Sequence, residues 1–212
     1  MLAVVDADYK FTWLDIGANG ACSDAQIYNQ SEIKEGLENN YLGLPPDECL
    51  PGDNKPVPYS LIGDDAFALT KRMMKPFGHR ALTKEERIFN YRLSRARRVV
   101  ENAFGILVNR FRCMLTTMLQ DPGTVAKIAL TCCILHNICR ICYPRLHVHL
   151  CDREDAQYNL IPGAWRNGVN LQDIGEILRG NTSNKEAKAQ RLLLKHYYNS
   201  PVGSVSWQER MI

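Results

Sequence analysis

The sequence predicts an α/β protein, a mixed sheet with flanking helices, and three observations carry that expectation. Two short β-rich runs near the start are separated by turn residues. An apolar run at Tyr59–Ile62 ends in Gly63-Asp64-Asp65, and a capping signal at Thr83 opens a long stretch with apolar residues at helical spacing. The 212 residues are enough for one domain with its own core, and 45% hydrophobic with 23% charged residues is the composition of a soluble globular protein. That composition excludes a disordered or fibrous chain.

Leu2–Val5 and Lys10–Ile16 read as antiparallel strands joined by the turn Asp6-Ala7-Asp8-Tyr9. After the break at Gly17–Gly20, Ser23 or Asp24 caps one helix that holds Ile27, Tyr28, Ile33 and Leu37 and ends near Asn39-Asn40. Prolines 45, 46, 51, 56 and 58 make residues 42–58 a loop, and Tyr59–Ile62 follows as a buried strand. Thr83 and Glu86 form a capping box ahead of Phe89, Leu93, Ala96, Val100, Phe104, Leu107 and Phe111, the stripe of a long amphipathic helix. Asp121-Pro122-Gly123 starts a second long helix with Val125, Ile128, Ala129, Cys132, Leu135, His136 and Cys139 as its apolar face, expected to pack on the first. A Pro162-Gly163 loop, a modest helix at Lys185–Tyr198 and an irregular end near Trp207 complete the reading. No apolar stretch reads as a membrane span and no basic segment precedes one at the start, so an intracellular protein is expected. The eight irregularly spaced cysteines are expected to be reduced thiols.

Charge is divided along the chain. Residues 13–65 hold ten Asp or Glu against two Lys, a net of −8, whereas residues 71–112 hold twelve Lys or Arg against three Glu, a net of +9. Cations for phosphates beside carboxylates for metal suit a nucleic-acid enzyme, and the same pattern also suits solvated helix faces. Asp64 stands at a strand end, and Glu101 lies on the basic helix at the edge of its apolar stripe. By residue type this pair is open to two readings, divalent-metal ligands for phosphoryl transfer or a solvated carboxylate and a helix-surface ion pair. Arg92, Arg95, Arg97 and Arg98 either meet phosphates or form a solvated face paired with Glu85 and Glu86. Cys132, Cys133, His136, Cys139 and Cys142 superficially suggest zinc, but their place on an apolar helix face favours core packing.

The runs Gly63-Asp64-Asp65-Ala66-Phe67, Lys75-Pro76-Phe77, 82–90 and 93–105 resemble, in order, the second half of a PIF/Harbinger-type DDE transposase domain. The Val5-Asp6-Ala7-Asp8 hairpin, the turn at 20–24, Leu135-His136-Asn137, the stretch 197–201, Gly203 and Trp207-Gln208 fit the same pattern, so the resemblance covers nearly the whole chain. It implies a ribonuclease-H-like fold and metal-dependent DNA cleavage and transfer with Mg²⁺ or Mn²⁺. Asp64 matches the second acid, Glu101 the glutamate of the triad and Asp24 a further carboxylate near the metals, so the two triad acids should face one cleft. The cluster Arg92, Arg95, Arg97 and Arg98 would position the DNA backbone.

The family's first aspartate stands in an Asp-Gly pair on a strand upstream of the hairpin that here begins at Leu2, while Asp6 and Asp8 match the hairpin turn. The expectation is therefore a sheet lacking its first strand and a chain that does not cleave DNA alone. The resemblance further implies a nuclear protein, with the cytoplasm as a second location, and a Myb-like protein that supplies DNA-site recognition. Residues 1–145 are expected to form the partial nuclease domain and 146–212 a tail with one modest helix. The alternatives are a non-catalytic DNA- or protein-binding derivative and a decayed transposon fragment.

Overall fold

The computed structural model describes residues 1–78, 80–146, 148–167 and 184–212. The elements run β1 (Leu2–Val5), β2 (Phe11–Asp15), α1 (Asp24–Asn29), α2 (Glu32–Glu38), β3 (Glu48–Cys49), β4 (Pro56–Val57), β5 (Leu61–Ile62), β6 (Met73–Met74), α3 (Lys84–Arg110), α4 (Pro122–Cys142), β7 (Arg153–Glu154), β8 (Leu160–Ile161) and α5 (Lys185–Asn199). The protein is mixed α/β. Among the described residues its strands form four separate two-stranded pairs, β1-β2, β3-β4, β5-β6 and β7-β8, rather than the single mixed sheet expected. Of these four pairs, β5-β6 is parallel and the others are antiparallel.

Two compact units form, one from 1–22 with 98–174 and the other from 23–97 with 175–212. Helix α3 supplies residues to both. Its capping box is present, with the Glu86 carboxylate accepting from the Thr83 N–H at 3.0 Å and the Thr83 hydroxyl accepting from the Glu86 N–H at 3.3 Å.

In the first unit, the hairpin turn is made by Asp6, whose Oδ1 accepts the N–H groups of Asp8 and Lys10. Helix α4 then grips the hairpin. Asn137 accepts from the Phe11 N–H at 2.9 Å and donates to the Phe11 carbonyl at 2.8 Å, completing the pairing of β2 as another strand would. His136, 1% exposed, bonds the Tyr9 carbonyl through Nε2 at 2.7 Å, which requires the proton on that nitrogen. Phe11, Ala103, Leu107, Cys132 and Cys133 make the core, so α4 packs on α3 as expected.

The α4 face is the predicted one except at two positions. Leu135 is exposed, whereas Cys133, outside the predicted stripe, is buried. By length and composition α4 is also apolar enough to cross a membrane, a feature the sequence reading missed because Lys127, His136, Asn137 and Arg140 interrupt it.

In the second unit, Val57, Leu69, Met74, Phe77, Phe89, Leu93, Ala187 and Leu194 form the core. Three local expectations are corrected here. The single helix over 24–39 is two helices, because Ser31 accepts from the Lys34 N–H and starts α2 afresh after α1 has ended at its own Ser23 capping box. The proline-rich loop contains the β3-β4 pair. The strand at 61–62 lies at the surface, with Ile62 exposed, and its parallel partner at Met73–Met74 carried no sequence signal because two residues show no period. The β7-β8 pair was missed for the same reason.

Candidate functional site

Strand β5 delivers Asp64. The Gly63 N–H donates to the Met74 carbonyl at 2.9 Å, and a side chain at Gly63 would press on the Phe67 ring and the Met73 sulfur, so glycine is required by close packing. Asp64 Oδ1 accepts the Ala66 N–H at 2.9 Å in a tight local turn. The Lys75 ammonium closes the loop beneath it by donating to the carbonyls of Asp65 and Phe67 at 2.5 and 2.8 Å. Burial pulls the Lys75 pKa down, against the opposing pull of the Asp65 carboxylate.

Asp64 opens onto a cavity of about 430 Å³ whose wall includes Arg87, Asn90, Tyr91, Ser94 and Arg97. Residues three and four apart on a helix share a face, so α3 presents Arg87, Asn90, Tyr91, Ser94 and Arg97 together. Asn90 is held by both of its amide atoms to the Phe77 backbone, at 2.8 and 3.0 Å. The Tyr91 hydroxyl is buried without a hydrogen-bond partner among the described residues, the kind of orphaned group that a bound polar ligand can satisfy.

The arginines named from sequence have diverged in role. Arg92 donates to the Gly203 carbonyl and to Gln208 Oε1 and lies over the Tyr198 ring. Arg95 lies over the Trp207 ring at 5.1 Å. Arg98 pairs with Glu154 at 3.0 Å, both side chains being mostly buried. Arg97 lines the cavity, beside Arg87, which sequence reasoning had not singled out although it lies on the same helix face.

Glu101 lies in the first unit, where its Oε2 accepts from Arg166 Nη2 at 3.0 Å. Asp24, in the second, is the exposed first residue of α1, where its charge suits the helix N-terminus. Sequence reasoning missed Asp152. Its side chain is 2% exposed and it holds Arg166 through two bonds, a carboxylate legible only once β7-β8 is seen beside α3. The zinc reading has no support in the geometry, since Cys132 and Cys133 are buried in the α3–α4 core.

A model of the family described as DDE superfamily endonuclease matches residues 1–137. The chain belongs to that family. Its similar proteins include "Putative nuclease HARBI1" of Homo sapiens, 29% identical over 62% of this chain and 35% of that protein. They also include "Protein ALP1-like" of Arabidopsis thaliana, 27% identical over 64% and 34%, and "Putative nuclease HARBI1" of Bos taurus, 36% identical over 37% and 23%. The chain thus spans about a third of the length of the first two of these relatives. No solved structure matches it.

DDE-family nucleases generally use divalent metal ions. The residues of this DDE-family chain do not fit such a centre as they are arranged. Among the described residues no three His, Cys, Asp or Glu side chains are grouped to hold an ion, and the Glu101 carboxylate is bonded to a guanidinium.

Proposed function

We propose that this chain is a DDE-nuclease-derived domain that grips the DNA phosphate backbone at the Asp64 cavity and does not cut DNA by itself. The observation that carries the reading is the pairing of Arg87 and Arg97 along one wall of that cavity, with Asn90 and Ser94 between them as hydrogen-bonding groups. Two residues ten positions apart on a helix have backbones on the order of 15 Å apart along its axis, a spacing from which two arginine side chains can meet separate phosphates. In this reading Arg92, Arg95 and Arg98 act indirectly, by fixing the helix and the chain around it. A ribonuclease-H-like ancestry, a nuclear location and a Myb-like partner that selects the DNA site belong to the same proposal.

Duplex binding measured over a salt series tests it. The Arg87→Ala/Arg97→Ala variant should lose affinity equally for all sequences, and its salt slope should flatten by about 0.9 for each phosphate no longer neutralised. An unchanged slope, with helix content intact by circular dichroism, would remove the DNA role. No nicking is expected from the wild-type chain with Mg²⁺ or Mn²⁺. A second reading, a protein-binding derivative, is favoured by one observation: Leu130, Ile134, Ile138 and Ile141 stand exposed along α4.

A further inference from the structure

The segment that reaches Glu101 is a small, heavily bonded hairpin. Asp155 makes its turn, with Oδ1 accepting the N–H groups of Gln157 and Asn159 at 2.8 Å each. Beyond β8 the chain passes so close to itself that a side chain at Gly163 would collide with the Leu150 carbonyl. That approach lets the Gly163 N–H donate to Asp152 Oδ1 at 2.8 Å.

Trp165, 4% exposed, then seats on α3, where a side chain at Gly105 would collide with its ring. Its indole N–H donates to Asn102 Oδ1 at 2.8 Å, and the same oxygen accepts the Asp152 N–H at 3.0 Å. Asn102 adjoins Glu101 on the helix, so the hairpin is anchored within one residue of that carboxylate.

Arg166 is the next residue after Trp165, and its place follows from this anchoring. Its Nε and Nη2 form a fork on Asp152, to Oδ1 at 2.9 Å and Oδ2 at 2.6 Å, while its guanidinium lies over the Trp165 ring at 4.3 Å. The same Nη2 donates to Glu101 Oε2 at 3.0 Å. Two carboxylates thus converge on one nitrogen, and a cation of the chain's own stands between them. A guanidinium carries its charge at any working pH, and the fork to Asp152 holds it in place.

We infer that Arg166 is a resident counter-cation that latches Glu101 and withholds it from divalent metal ions. A metal ion approaching Glu101 meets a like charge that cannot leave by losing a proton, and that is tied to a buried carboxylate and a buried ring. The hairpin, not solvent, sets the availability of the acid. The inference rests on the reading of Glu101 as the family's glutamate and is independent of DNA binding through Arg87 and Arg97.

The test is a titration of the full chain with Mn²⁺, following the electron paramagnetic resonance signal of the free ion. Glu101→Gln should leave the affinity of the otherwise wild-type chain unchanged, because the acid is already withheld. Arg166→Gln, which removes the charge but keeps a donor for Asp152, should bind Mn²⁺ about tenfold or more tightly, and adding Glu101→Gln should abolish the gain. The indole N–H resonance of Trp165, identified by Trp165→Phe, reports whether the hairpin stays seated. No gain in Arg166→Gln with that resonance in place overturns the latch. If the resonance shifts, the single Glu101→Gln comparison decides alone: weakened Mn²⁺ binding means Glu101 is already a ligand and the latch is wrong, and unchanged binding upholds it. An unchanged salt slope for duplex binding in Arg87→Ala/Arg97→Ala, with the latch intact, would instead sink only the proposed function.

Discussion

Asp64 and Glu101, the two acids that the sequence offers as a pair, lie in contrasting surroundings. Asp64 is fixed by short-range bonds within its own loop, an N–H two residues on and a lysine that ties neighbouring carbonyls, and it opens onto a cavity beside two guanidiniums. Glu101 is fixed by a residue 65 positions away, through a guanidinium that a buried aspartate holds in turn. A local turn orients an acid and leaves its charge available. A long-range ion pair sets a cation of the chain's own against the other acid. The place of a carboxylate in the sequence therefore does not fix its chemistry, which its partners decide.

The largest expected effect follows from the depth of those partners. Asp152→Ala strips a nearly buried carboxylate from a guanidinium and from the Gly163 N–H, and should destabilise the first unit by about 3 kcal/mol. Asp64→Ala removes one local bond at a cavity edge and should cost about 1 kcal/mol or less. Urea unfolding of both variants measures the difference, and equal losses would break the contrast between the two acids.

The same contrast has an acid limb. Burial alone would raise the Asp152 pKa, but the Arg166 fork, the Gly163 N–H and the nearby Arg98 charge outweigh it and hold it below the usual aspartate range. A depressed folded-state pKa contributes stability that is present above the unfolded value, near 4, and is lost as pH falls through the folded one. Unfolding midpoints of the wild type should therefore drop below about pH 4, and the drop should be shallower in Asp152→Asn. Identical acid limbs in the two proteins would show that the fork does not discriminate folded from unfolded chain.

The parts legible in the sequence were those that carry their signal locally. The Asp6 turn, the Thr83–Glu86 capping box and the Asp121 start of α4 each depend on residues within four positions, and each formed as read. The two-residue pairs were not legible, because a periodicity needs more residues than they contain. In the site, the Gly63-Asp64 strand end and the Glu101 helix position were readable. The fates of Arg92, Arg95 and Arg98 were not, since each is decided by a partner 56 to 116 positions away: Glu154, Gln208 or Trp207. For the same reason the ion-pair alternative for Glu101, left open on residue type, gained its partner only from the fold.

The smallest expected effect concerns neither acid, yet it tests whether the unit that latches Glu101 is closed. Cys133 and Cys142 lie on the same helix, α4, but Cys133 is fully buried against Ala103 and Leu107 of α3 while Cys142 is exposed. Burial pushes the Cys133 thiol up to about 11, with Cys132 adding to the shift. Only the thiolate attacks an alkylating agent, so at pH 8 a thiol near 11 reacts on the order of a hundred times more slowly than an ordinary one, before any loss of access is counted. Iodoacetamide labelling followed by mass spectrometry should accordingly modify Cys142 early and Cys133 last, with no change in stability from the first event. Should Cys133 label as fast as Cys142, α4 would be open on its inner face. The α3 segment carrying Glu101 and Asn102 would then lack the packed support that an arginine latch needs, and the contrast drawn between the two acids would fail at its structural root.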